Sequence, residues 1–74
     1  MAEKPSGELK KLVAIATDLE LASKLRTKSI EMIGNIGTYE ALLALLDLAA
    51  NEALIKKERE LALKYAREII KSGR

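Results

Sequence analysis

Five cations, Lys57, Lys64, Arg67, Lys71 and Arg74, are spaced by seven, three, four and three residues, which on a helix gathers them into one arc. Such a stripe could track nucleic-acid phosphates in a weak, sequence-independent and steeply salt-sensitive way. Three observations count against it. Glu60 lies inside the arc, Glu68 borders it, and no aromatic side chain is interleaved for base stacking. Basic residues near a helix C-terminus are also expected from the macrodipole alone. Nucleic-acid binding therefore stands as the second reading of this chain.

Catalytic chemistry finds little to work with. The chain has no histidine and no cysteine, so it lacks an imidazole base, a thiolate nucleophile and both imidazole and thiolate metal ligands. Ser23 precedes Lys24 and Ser29 follows Lys28, but adjacent helical positions point apart. Glu58 and Glu60, and Glu3 and Glu8, lie among lysines as on a solvated helix face. No acidic run has calcium-loop spacing. Gly34-Asn35-Ile36-Gly37 superficially suggests a phosphate-cradling turn but lacks the full glycine pattern and a following lysine. An interhelical turn is the simpler reading. No catalytic residue, cofactor or metal site is assigned, no small-molecule substrate is evident, and the chain is expected not to be an enzyme.

The elements that must position these residues are helical. The chain holds 13 Leu, 7 Ile and 11 Ala with no Phe or Trp and two Tyr, a composition of strong helix formers. Nothing alternates with period two over a useful length. A domain of 74 residues buries only roughly 60–65% of the surface its unfolded chain exposes. Its Lys, Glu and Ile content without Gln, Cys or His suits a thermophile. No apolar run reaches a membrane span and residues 1–8 contain no signal-peptide core, so a cytoplasmic protein is expected.

Residues 9–33 shifted by 33 fall on residues 42–66 without a gap. Leu9 meets Leu42, Leu12 meets Leu45, Ala16 meets Ala49, Leu21 meets Leu54, Lys24 meets Lys57 and Arg26 meets Arg59. A period of this size marks a unit that buries its apolar face by stacking on a neighbour. Residues 1–5 read as a flexible tail before Ser6 as an N-cap, and 6–74 as one helical domain, with units at about 6–37 and 38–73. Helix 1 is expected over about 7–16, and helix 2 from Ser23 with Leu25, Ser29, Met32, Ile33 and Ile36 inward. Helix 3 follows the Thr38 cap to about Ala50, and helix 4 ends at Gly73.

The segment Leu25-Arg26-Thr27-Lys28-Ser29-Ile30-Glu31-Met32-Ile33-Gly34-Asn35-Ile36-Gly37, with Arg59 and Ala62 in the same phase, resembles the second helix of HEAT-type repeats. The likeness covers about residues 8–72. It implies an all-α fold in which two antiparallel helical hairpins stack as a minimal HEAT-like α-solenoid; a four-helix bundle is the alternative. That family usually carries an Asp about six positions before the Arg, whereas Asp18 and Asn51 precede Arg26 and Arg59 by eight. Asp18, Arg26, Asn51 and Arg59 are expected to be structural, with each arginine reaching turn carbonyls or the Asp18 and Asn51 side chains.

Comparison of the two units also assigns an unfinished face. Lys10 and Thr17 become Leu43 and Ala50, and Glu8 and Ile15 become Ala41 and Leu48. The first flank is expected to face solvent in unit 1 (Lys10, Thr17) and to face unit 1 in unit 2 (Leu43, Ala50); on the second, Ile15 is expected to face unit 2 and Leu48 a third unit. An apolar edge of Ala41, Leu48, Leu63 and Ile70 is the expected protein interface. Tyr39 and Tyr65 are expected at the core or its boundary. The function expected first is a non-catalytic protein-interaction or self-assembly scaffold, as a homodimer or with another protein.

Overall fold

The computed structural model describes residues 5–72, with side chains from Gly7 onward. Four helices make up the fold: α1 (Pro5–Ala16), α2 (Ser23–Ile36), α3 (Tyr39–Ala49) and α4 (Lys56–Lys71). No strand occurs among the described residues. No helix among them is long and apolar enough to cross a membrane. Of the tail expected over residues 1–5, Pro5 belongs to α1 and residues 1–4 lie outside the described residues, as do Gly73 and Arg74.

The most extensive packing joins α3 to α4 and α1 to α2, followed by α2 to α4. Smaller contacts join α2 to α3 and α1 to α3. The Cα atoms span 32 × 29 × 16 Å, a thickness that fits two helix layers at the usual interaxial distance of about 8–10 Å. Leu9, Leu12 and Ala16 of α1, Ile30 and Ile33 of α2, Ala41, Leu45 and Leu48 of α3, and Leu54, Ala62, Ala66 and Ile69 fill the interior.

The 33-residue spacing recurs in the backbone. Helices α1 and α3 end at Ala16 and Ala49, and α2 and α4 begin at Ser23 and Lys56. In the first turn Asp18 Oδ1 accepts from Glu20 N at 3.0 Å, and in the second Asn51 Oδ1 accepts from Ala53 N at 2.9 Å. Leu21 N donates to Asp18 O, as Leu54 N donates to Asn51 O, both at 3.1 Å. These Asx turns explain why Asp and Asn alternate here: each side chain satisfies a local amide while the chain reverses.

Helix ends follow equally local rules. Gly37 leaves α2 at φ 68°, the left-handed position that glycine occupies without steric cost. Gly34, Asn35 and Ile36 belong to α2 rather than to a loop. Thr38 caps α3 by accepting from Ala41 N at 3.1 Å. Helix α1 starts at Pro5, suited to a first turn because its missing amide has no intrahelical partner there, so Ser6 is not the cap.

Candidate protein-interaction surface

Arg26 and Glu58 dominate the polar interior. Glu58 is fully enclosed, at 0% exposure. Arg26 Nε donates to both Glu58 oxygens at 3.2 and 3.1 Å, and Nη2 donates to Oε2 at 2.9 Å. Ser23 Oγ donates to the same Oε2 at 2.5 Å. Arg26 Nη1 turns back onto Leu21 O at 2.6 Å and Asp18 O at 3.4 Å. The guanidinium thus closes its own turn and grips the neighbouring helix, the fork geometry that suits arginine to carboxylate.

Burial by itself raises the Glu58 pKa, but the hydrogen bonds from Arg26 and Ser23, the Arg26 charge and the Ile55 backbone outweigh it and hold the carboxyl below its ordinary value. Helix α2 has neither a side-chain cap nor an acidic residue in its first turn. Glu58, bonded to the first residue of α2, brings the negative charge that this helix end favours.

Sequence reasoning placed Glu58 on a solvated face, and the structure corrects this. A signal was available. At the 33-residue shift Glu58 takes the place of Leu25, a charge for an apolar residue, one position before the matching arginines. Leu25 and Met32, expected inward, are exposed, and the inward row of α2 is Arg26, Ser29, Ile30 and Ile33.

Arg59 occupies the place of Arg26 but not its contacts. Its Nε is enclosed and has no hydrogen-bond partner among the described residues, and Asn51 spends its side chain on its own turn. The residues around Arg59 are also less covered. Ile30 is 0% exposed while its counterpart Leu63 is 39% exposed. Val13 packs against the core while its counterpart Leu46 is exposed. Ile70, at 57%, is exposed as well.

These exposures correct the expected edge. Ala41 and Leu48 are buried within the chain, so they cannot meet a partner while the fold is intact. Leu63 and Ile70 are exposed, as are Leu43 and Leu46 of α3. Helical periodicity orders the flanks of a helix but does not say which flank faces the preceding one. Here Glu40 and Ala44 of α3 border a cleft with Leu9, Lys10 and Val13 of α1, and Leu46 lies on the opposite flank. Ile15, expected at the junction, is exposed, and so is Tyr39. Tyr65 does pack inward: a Cβ added to Gly34 would come within 2.7 Å of its ring.

The cations of α4 are placed as follows. Lys57, Lys64, Arg67 and Lys71 are exposed, while Arg74 lies outside the described residues. Lys57, Lys64 and Glu60 line an open groove shared with Ser23, Lys24 and Thr27 of α2. Lys64 Nζ stands 5.9 Å from the Tyr65 ring centroid. No three Asp or Glu side chains converge as a metal ion would need among the described residues.

Comparison with protein-family models, curated proteins and solved structures finds no match.

Proposed function

We propose that this chain is a non-catalytic protein-interaction scaffold, two HEAT-like helical hairpins stacked in tandem, whose second hairpin ends in an open edge that receives another helical element. One observation carries this reading: Leu46 and Leu63 stand exposed where their counterparts 33 residues earlier are not, Val13 being part-buried against the core and Ile30 fully buried. In stacked helical units each apolar flank is covered by the next unit, and Leu46, Leu63 and Ile70 are apolar side chains left exposed.

A third hairpin tests the reading. The full chain followed by a second copy of residues 38–72 should fold as one cooperative unit, and Leu63→Lys should uncouple the added hairpin. In the added copy Tyr65→Ala is included, because Arg67 stands where Gly34 receives the Tyr65 ring. An added hairpin that unfolds independently of the rest would contradict the reading.

Sequence-independent nucleic-acid binding has less support. Lys57 and Lys64 share their groove with Glu60, and Glu60 also approaches Lys56 at 4.0 Å. Charge reversal at Lys57 and Lys64, which line that groove, should abolish polynucleotide binding on that view, and leave the third-hairpin result unchanged on the view proposed here.

A further inference from the structure

We infer that the open edge of α4 is a docking site for a partner helix that presents a carboxylate to Arg59, as α4 presents Glu58 to Arg26. The inference rests on the scaffold reading above and adds the chemistry of the partner.

The chain contains its own template. At the covered junction the receptor for Glu58 consists of Ser23 and Arg26, the first and fourth residues of α2. At the open edge the same two positions of α4 are Lys56 and Arg59. A hydroxyl and a guanidinium are replaced by an ammonium and a guanidinium, so the second site favours an anion more strongly than the first. The Nε that in Arg26 donates to both carboxylate oxygens is in Arg59 enclosed and unpartnered. A buried donor without an acceptor is destabilising, and a docked carboxylate removes that penalty. Leu63, one turn along α4 from Arg59, supplies the apolar contact that Ile30 supplies beside Arg26. Arg67, at the place of Gly34, adds a further positive charge and selects against an aromatic residue opposite it.

A second copy of this chain is a poor occupant. Stacked head to tail, it would offer Leu25 where Glu58 is needed, with Lys28 alongside. Packed about a two-fold axis along α4, it would set Lys56, Arg59 and Arg67 against the same three cations. Both arrangements bring like charges together. The fitting partner is a different helix, acidic at the places that face Arg59 and Arg67 and apolar between them.

The extended chain described above provides the probe, because its added hairpin offers a second copy of Glu58 to Arg59. A double-substitution cycle combines Arg59→Met with Glu→Gln at that added glutamate and reads the folding equilibrium from urea titration. Each single change should lower the equilibrium constant by roughly tenfold or more, and the double change should cost clearly less than the two together. In the unextended chain Arg59→Met should be neutral or stabilising, which separates the pairing from a general packing role. An added hairpin that docks while the two changes are additive overturns the carboxylate inference and leaves the scaffold reading standing. An added hairpin that does not dock overturns both.

Discussion

Arg26 of α2 and Glu58 of α4, 32 positions apart in the chain, form an ion pair with an Nη2–Oε2 distance of 2.9 Å and almost no solvent access. This contact unites two helices that also meet where Tyr65 lies on Gly34. It makes the α2–α4 junction specific in a chain whose other interior contacts are mostly between aliphatic groups.

Breaking the pair on one side should be far more damaging than removing it. Glu58→Gln or Arg26→Met alone leaves a buried charge uncompensated and should cost about 3–5 kcal/mol of unfolding free energy. The joint change Arg26→Met with Glu58→Leu should recover much of that loss, because well-packed apolar pairs often match a buried ion pair. Urea titration of the four proteins measures the difference.

Acid should weaken the fold through the same group. The Glu58 carboxyl has its pKa lowered in the folded chain, so the unfolded chain binds more protons and stability rises with pH across that range. The contribution is complete above the ordinary carboxyl value and is lost as pH falls through the lowered one. Urea midpoints taken between about pH 7 and pH 3 should fall more steeply for the native chain than for Glu58→Gln, and the gap between the two proteins should narrow towards acid.

Gly34→Ala should be destabilising although alanine is the better helix former by about 1 kcal/mol. The added Cβ would lie 2.7 Å from two ring carbons of Tyr65 and 2.9 Å from its Cβ, so the ring or α4 must move. Pairing Gly34→Ala with Tyr65→Ala should reverse the sign of the glycine substitution, as thermal unfolding would show.

Leu48 and Leu63 separate the core from the edge. Leu48→Lys places a charge in a fully covered position and should unfold the chain. Leu63→Lys, on a side chain already part-exposed, should stay within about 0.5 kcal/mol of the native chain, as surface changes usually do. Equal losses for the two would place Leu63 in the core as well.

Helix number, the end of α1 at Ala16 and, to within one residue of the expected Ala50, the end of α3 at Ala49 were legible because period and turn chemistry act locally. The Asx turns at Asp18 and Asn51 and the exits at Gly37 and Thr38 obey rules that extend over two or three residues. The burial of Glu58 was not legible from hydropathy, since a charge enters the interior only when a partner from another helix meets it. The flank of α3 was misassigned for a related reason: Ala41 and Leu46 are both apolar, and only the side on which α1 packs decides which is covered. The candidate edge was therefore half visible, through Leu63 and Ile70, while its polar centre at Arg59 needed the geometry of Arg26 to be seen.

The most direct test of the open edge is the urea dependence of the chain extended by a second copy of residues 38–72. Because the slope of unfolding free energy scales with the surface exposed, docking predicts a single transition whose slope is roughly one and a half times that of the native chain, with a higher midpoint. Two transitions, one of them matching the native chain in slope and midpoint, would show that the edge does not receive a helix and would contradict the account.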